Sequence, residues 1–326
     1  MRLRHLLPLL LLFGPFLVAS ESCFRFFPGS FKVIGGHPAY AVAKNRFLSL
    51  VCPPNKKVIA NDPFKGLCLF EDTAAKPFYL TAAKPPLFYC PANRPEPVEI
   101  VSYPVSIYPG KLKKEYENEG ALFGGCCRLA GLVASGGIWF DTAAIRKLIK
   151  GDTRHGDIGV RFTAEKEKVT VTAVDPFSKL PLMPGDRLMA IEKLNHPTLR
   201  QLRERIDRCQ AGETLFLLVG RNGKSFGLHA ACFDRVGGGK LSDTFLEHYG
   251  IWFDDRLAVR EIAHDGIAYK KGIRRGDRLV MIEGKKVKNQ AEVRVLLSHY
   301  GVKKSVPENM LWERENFQFF LALPAL

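Results

Sequence analysis

The chain has 326 residues, of which 46% are hydrophobic and 25% are charged. This balance is typical of a globular protein and excludes a disordered chain, and the length is sufficient for two or three domains. The net charge of +15 comes from lysines and arginines that are dispersed along the chain, which favours a soluble cationic surface over a nucleic-acid site and leaves open a weak association with a membrane surface.

The first twenty residues, MRLRHLLPLLLLFGPFLVAS, contain two arginines, an apolar run of about a dozen residues and small residues at 18–20. This order predicts a signal peptide over residues 1–20 that is removed on export. A membrane anchor is the less favoured alternative, because the apolar run is shorter than the ~20 residues of a spanning helix.

Eight cysteines follow the predicted signal. They are Cys23, Cys52, Cys68, Cys90, Cys126, Cys127, Cys209 and Cys232. An even number in an exported chain predicts disulfide bonds, whose connectivity the sequence leaves open. We expect the adjacent Cys126 and Cys127 to bond to different partners, since a ring between neighbours is strained. No Cys-x-x-Cys pair occurs, so we expect no metal site and no cofactor.

Residues 23–150 contain six of these cysteines, proline-rich turns and many short apolar segments. Such a pattern predicts an all-β barrel or sandwich. The remainder consists of two similar parts, residues 151–236 and 241–326. The motif Gly-Asp-Arg-Leu at Gly185 recurs 91 residues later at Gly276, and the apolar positions of predicted strand, helix and strand keep this shift. A constant shift indicates a duplicated α+β unit.

The second copy, AHDGIAYKKGIRRGDRLVMIEGKKV, resembles the PDZ domain in the bacterial form found in periplasmic HtrA proteases. We expect Gly276 to adopt a positive φ and Asp277 to bind the backbone of its own turn. Leu279 and Ile282 are expected in the core. The repeated motif is thus predicted to be a scaffold turn.

The resemblance also implies a binding site. In PDZ domains a loop of pattern x-Φ-Gly-Φ, where Φ is apolar, binds the C-terminal carboxylate of a peptide through backbone N–H groups, and the peptide adds as a strand. The matching loops lie at 157–160 and 249–251, and a helix walls each groove. The predicted peptide-binding residues are Ile158, Gly159, Val160, Leu199, Leu202, Ile206, Tyr249, Gly250, Ile251, Val293 and Leu297. The alternative is that the helix residues only fill the cores.

Residues 23–150 resemble the trypsin-like domain that precedes PDZ domains in HtrA proteins. The segment FYLTAAKPP is similar to the strand of the catalytic histidine, DPFKGLCLFE to the aspartate segment and NEGALFGG to the nucleophile loop. The resemblance puts Lys84, Gly66 and Glu119 at the histidine, aspartate and serine positions. Since a serine nucleophile needs a nearby base, and His37 is the single histidine in residues 23–150, we predict a non-catalytic domain.

We therefore predict a mainly β protein, with a degenerate chymotrypsin-like barrel or sandwich followed by two α+β PDZ-like domains. Its predicted function is that of a periplasmic or secreted adaptor or chaperone-like protein, not an enzyme, that recognises C-terminal or unfolded segments of envelope proteins. One alternative is an HtrA-like envelope protease with an unrecognised serine or cysteine active site, such as Cys126 or Cys127 with His37. Another is a scaffold whose grooves are occupied by neighbouring segments.

Overall fold

The computed structural model describes residues 27, 29–73, 76–90, 95–302 and 307–324. The predicted signal peptide and Cys23 lie outside these residues. The protein is mainly β, as predicted from the sequence, and none of the helices in the described ranges is long and apolar enough to cross a membrane. Two compact units are present: Met1–Pro104 with Tyr108–Thr153, and Val105–Ile107 with Arg154–Leu326. The finer domain boundaries given above stay a prediction.

The first unit contains two antiparallel sheets. The strands of the first sheet are β1 (Phe31–Ile34), β2 (His37–Ala43), β3 (Arg46–Ser49), β4 (Val58–Asp62) and β5 (Leu67–Glu71), in the order β1-β2-β3-β5-β4. Those of the second are β6 (Phe88–Cys90), β7 (Glu96–Pro97), β8 (Ile100–Ser102), β9 (Gly110–Leu112), β10 (Gly120–Gly124), β11 (Arg128–Ala134) and β12 (Ile138–Asp141), in the order β7-β6-β10-β11-β12-β9-β8.

Helix α1 (Thr142–Ile149) follows the second sheet directly. Asp141 caps it, because its carboxylate accepts the N–H groups of the second and third helical residues. Ile145 and Leu148 are three positions apart, lie on one face and join a core to which both sheets contribute, for example Leu48 from β3 and Phe123 from β10. The helix therefore closes the core of this unit.

The second unit contains both repeats. The elements of the first repeat are β13 (Gly156–Asp157), β14 (Val160–Glu165), β15 (Lys168–Val174), β16 (Arg187–Ile191), β17 (Leu194–Asn195), α2 (Leu199–Asp207), β18 (Thr214–Arg221), β19 (Lys224–Ala231) and β20 (Phe233–Asp234). The main sheet has the order β14-β15-β16-β18-β19, β17 pairs with β16, and β13 pairs with β20. Strand β14 is thus an end strand.

The second repeat has counterparts of β14 to β19, none of them longer than its equivalent, whereas its main helix is longer than α2. Its elements are β21 (Ile251–Phe253), β22 (Val259–Ile262), α3 (Ile267–Lys270), β23 (Arg278–Ile282), β24 (Lys285–Lys286), α4 (Gln290–Val302), β25 (Met310–Arg314) and β26 (Phe317–Leu321). Strand β21 pairs with β22, and the other sheet has the order β24-β23-β25-β26. The buried apolar cluster of the first repeat contains residues of that repeat alone, whereas that of the second repeat also includes Ala173 of the first.

The Gly-Asp turns have the conformation that the sequence predicted. Gly185 and Gly276 have φ of +94° and +92°, and the carboxylates of Asp186 and Asp277 each accept the N–H of the residue three positions earlier, at 2.8 and 2.7 Å. Leu279, after the second turn, is 1% exposed. The scaffold role of the motif is confirmed.

Each of these aspartates also binds an arginine from the last hairpin of its repeat. Arg221 Nε lies 2.6 Å from Asp186 Oδ1, and Arg314 Nε lies 2.6 Å from Asp277 Oδ1. The aspartates are 91 residues apart and the arginines 93, so the second repeat has two extra residues before β25. The constant shift of 91 residues was therefore wrong for the last hairpin.

The described cysteines are partly paired. Cys52 is bonded to Cys68 and Cys209 to Cys232, and Cys127 is also disulfide-bonded. Cys90, in contrast, is a free buried cysteine among the described residues. Its burial raises the pKa of the thiol to about 12, so it stays protonated and unreactive at neutral pH.

Candidate functional site

The first predicted loop is a tight turn between β13 and β14. Gly159 has a φ of +71°, and a Cβ at this position would lie 2.8 Å from the Cβ of Ser178. The carbonyl of Gly159 accepts the N–H of Asp175 at 2.7 Å. On either side, the apolar Ile158 and Val160 are buried. Glycine is therefore required here both by the backbone conformation and by the close approach of the 175–178 turn.

Within this loop the backbone N–H groups bind a carboxylate of the same chain. Asp157 Oδ1 accepts the N–H of Ile158 at 2.8 Å and that of Gly159 at 2.9 Å. Arg161 Nη1 lies 3.0 Å from Asp157 Oδ1 and Arg235 Nη2 lies 3.2 Å from Oδ2. Burial opposes ionisation, but these two arginines and the Gly159 amide lower the pKa of Asp157. Two of the predicted carboxylate-binding amides are thus already occupied.

Strand β14 is the strand to which a peptide would add. Within the described part of the chain it pairs with β15 alone, so its other edge has no strand partner. Helix α2 contacts β14, and Thr198 fixes the start of that helix through a reciprocal cap with Gln201. Phe162 on the strand and Leu199 on the helix are half-buried against the core of the repeat. An open strand edge beside a helix is the geometry of strand addition.

The second predicted loop contacts the first repeat. Gly250 has a φ of +79°, and His248 stands where the first loop has Asp157, 91 residues earlier. His248 Nε2 lies 2.6 Å from Asp175 Oδ2. The ring of Phe177 packs edge-on against Tyr249, with 5.4 Å between the ring centroids. Residues of the first repeat therefore cover this loop.

The linker between the repeats contacts the second groove. The N–H of Phe253, in β21, donates to Ser242 Oγ at 3.0 Å, and the N–H of Asp243 donates to Gln290 Oε1 of α4 at 3.1 Å. Arg161 Nη2 lies 2.7 Å from Asp243 Oδ1. Burial opposes the charge of Asp243, but Arg161 and Arg294 lower its pKa to about 2. This segment therefore lies against both walls of the second groove.

Most of the predicted peptide-binding residues are buried. Gly250 and Leu199 are half-buried, and the other nine are buried: Ile158, Gly159, Val160, Leu202, Ile206, Tyr249, Ile251, Val293 and Leu297. The apolar side chains belong to the cores of their repeats. Contact of these residues with a peptide stays a prediction, and it requires the side chains to rearrange. Asp157 was not among the predicted binding residues, although the sequence shows this acid directly before Ile158 and Gly159.

The first unit contains a second candidate site. His37 Nδ1 lies 3.0 Å from Glu119 Oε2, and both residues line a cleft of about 440 Å³ together with Ser135. His37 thus pairs with the residue at the predicted nucleophile position. The alternative pair of His37 with Cys127 is wrong, because Cys127 is disulfide-bonded. No group of three or more potential metal ligands occurs within the described ranges.

Comparisons with known proteins found one matching family model and several similar solved structures. A family model described as PDZ domain matches residues 156–229, and no curated protein matches. The chain is similar to solved structures of the HtrA-type protease AlgW with a tripeptide, at 15% identity and a TM-score of 0.49, covering 66% of this chain and 96% of that one. It is also similar to a serine endoprotease from Yersinia pestis, at 13% identity and a TM-score of 0.47, and the match covers 66% of this chain and 97% of the endoprotease chain.

These comparisons correct one prediction. The sequence analysis predicted that the chain is not an enzyme, whereas the similar structures are HtrA-type serine proteases, so that prediction is withdrawn. The predicted resemblance is confirmed. Residues 156–229 are therefore a PDZ domain.

Proposed function

We propose that this chain is an exported HtrA-like protein that binds extended or unfolded polypeptide through its PDZ domain. The observation that carries the proposal is the edge of β14, which has no strand partner in the described residues and lies beside α2. Such an edge offers backbone N–H and C=O groups to an added strand, and half-buried apolar side chains nearby can receive its side chains. Proteins of the cell envelope that expose unfolded segments are the expected partners.

The experiment is hydrogen–deuterium exchange of the full chain with and without reduced, alkylated casein as an unfolded probe. We expect slower exchange over residues 160–165 and 199–207 when casein is present. Phe162→Glu should weaken binding, whereas Met183→Glu, at an exposed apolar residue, should not. Protection elsewhere in the chain, or equal binding by the two variants, would contradict the proposal.

Export forms part of the same proposal. The disulfide bonds Cys52–Cys68 and Cys209–Cys232 support an oxidising location. Residues 1–20 have the pattern of a signal peptide, which would direct the chain to export. The N-terminal sequence of the protein recovered from its native source tests this. We expect it to begin close after residue 20, and a mature chain that retains Met1 would contradict export by a cleaved signal.

A second candidate function is hydrolysis of peptide bonds, which the His37–Glu119 pair favours. Because Glu119 holds Nδ1 of His37, the other ring nitrogen is available as a base. In this scheme Ser135 Oγ attacks the peptide carbonyl and gives its proton to Nε2, which passes it to the leaving amine. Water then hydrolyses the acyl ester and restores Ser135.

Cleavage of casein by the full chain and its variants tests this candidate. Ser135→Ala, His37→Gln and Glu119→Gln should each reduce the cleavage rate by about 100-fold or more, while Ser225→Ala, at an exposed serine, should leave it unchanged. Cleavage that survives all three substitutions would show that the activity resides elsewhere. Absence of cleavage by the unmodified protein would remove this candidate and leave peptide binding standing.

A further inference from the structure

We propose that Asp157 is a built-in substitute for the terminal carboxylate of a peptide, so that the first PDZ groove takes an internal segment of polypeptide rather than a chain end. This inference rests on the proposed function, since it names the class of ligand for the same groove. It is carried by the contacts of Asp157, by the charges around it and by the contrast with the second loop.

The backbone N–H groups of the first loop already have an acceptor. A terminal carboxylate would bind to the N–H groups of the Φ-Gly-Φ segment, and the N–H groups of Ile158 and Gly159 already donate to Asp157 Oδ1. Both bonds lie within the ordinary range for an amide donating to a carboxylate. An incoming chain end would have to displace Asp157 before it could reach these donors.

Displacement is opposed by the buried charges around the loop. Asp157 is 2% exposed, and its second oxygen, Oδ2, lies within ion-pair distance of Arg235. Arg161 joins Asp157 to Asp243, and Arg294 also pairs with Asp243, so each of these arginines already has a carboxylate partner. A third carboxylate would be buried beside two like charges, and every arginine in contact with them already has a carboxylate partner, which makes its burial unfavourable.

The second repeat shows that the loop does not require a carboxylate to form. The Gly250 loop has the same left-handed glycine, with a φ of +79°, and the residue equivalent to Asp157 is His248, whose Nε2 contacts Asp175 instead of the loop amides. Asp157 is therefore not a structural requirement of this turn. Its place in the first loop fits a role in choosing the ligand.

An internal segment avoids the cost of a third carboxylate. It carries no terminal charge, so it can pair with the open edge of β14 by backbone hydrogen bonds alone and continue past the loop. Strand β14 offers six residues, from Val160 to Glu165, for such pairing. The first groove is thus suited to extended stretches within unfolded chains, whose ends lie elsewhere.

The test uses a pool of synthetic decapeptides ending in Leu, Val or Phe, prepared once with free carboxylates and once as C-terminal amides. Binding to the full chain is measured by fluorescence anisotropy, and deuterium exchange over residues 157–165 reports binding at this groove. We expect the unmodified protein to bind both pools with affinities that agree within about twofold. Asp157→Ala should free the loop amides and remove the carboxylate partner of Arg235, so the free-acid pool should then bind about tenfold tighter than the amidated pool.

Asp243→Ala is the matched control, because it also removes a carboxylate from Arg161 but leaves Asp157 on the loop. This variant should still bind the free-acid pool and the amidated pool with equal affinity. If Asp157→Ala does not fold, the ratio of the affinities of the unmodified protein for the free-acid and amidated pools still tests the inference. A preference of about tenfold or more for free carboxylates in the unmodified protein, with protection at residues 157–165, would overturn this inference and leave the proposed function intact. Failure of both pools to bind any of the proteins would overturn both.

Discussion

His248 Nε2 lies 2.6 Å from Asp175 Oδ2, and this contact joins the second repeat to the first within one compact unit. Asp175 is 2% exposed and also accepts the N–H of Phe177 at 2.9 Å. Burial opposes the charged form of His248, but the hydrogen bond and the charge of Asp175, with further contributions from Asp157 and Glu247, raise its pKa above 6.5. The contact between the repeats is therefore sensitive to pH.

The first prediction concerns this pH dependence. Because the folded pKa of His248 lies above the unfolded value, its stabilisation is complete below about pH 6.5 and is lost as the pH rises through the folded pKa. His248→Gln should lower the free energy of unfolding by about 1–3 kcal/mol at acidic pH and by less at alkaline pH. Denaturant unfolding of the full chain at several pH values measures this. A difference that is the same at every pH would contradict the role of His248.

The second prediction concerns Arg161, which lies between the carboxylates of Asp157 and Asp243. Arg161→Met keeps an unbranched apolar stem but removes the guanidinium group and leaves two buried carboxylates with less compensation, so the free energy of unfolding should fall by about 3 kcal/mol. Arg200→Met is the matched control, since Arg200 pairs with Glu204 on an exposed helix face and should change stability by less than about 0.5 kcal/mol. Similar losses in the two variants would show that the buried network contributes little.

The third prediction compares two glycines in left-handed conformation. At Gly276 a Cβ would meet no atom within 4 Å, so Gly276→Ala should cost only the conformational strain of about 1–2 kcal/mol. At Gly159 the Cβ would also approach the Cβ atoms of Ser178 and Asp175 to 2.8 and 3.0 Å. Gly159→Ala should therefore destabilise the protein by at least about 1 kcal/mol more. Thermal unfolding of the two variants measures the difference, and equal midpoints would contradict the close packing of the loop.

These examples show which features the sequence could predict. The Gly-Asp turns were predictable because both the positive φ and the carboxylate contact involve residues within three positions of each other. The pairs His248–Asp175 and His37–Glu119 were not, because 73 and 82 residues separate their members. Many other charged residues in the chain could form such pairs, and the approach of distant strands decides which of them meet.

The groove residues show a different limit. A Φ-Gly-Φ loop and apolar helix positions predict equally well a peptide pocket and an ordinary core, since both need apolar side chains on the same faces. The structure shows Ile158, Leu202 and Ile206 in one buried cluster. A peptide pocket differs from an ordinary core in that a ligand can move these side chains apart. Such a change of conformation cannot be read from the periodic spacing of apolar residues.

The last prediction concerns the disulfide of the first repeat. Cys209 follows α2 and Cys232 follows β19, at a sequence separation of 23. A bond that closes a loop of this length restricts the unfolded chain, so replacing both cysteines by alanine should lower the free energy of unfolding by about 3 kcal/mol. It should also speed deuterium exchange in α2, because the end of this helix would lose its covalent tie. The pair Cys52–Cys68 in the first unit is the control, since its replacement should leave exchange in α2 unchanged. Unchanged exchange in α2 after loss of Cys209–Cys232 would show that packing of Leu202 and Ile206 alone holds the helix beside β14, and that the wall of the groove does not depend on an oxidising location.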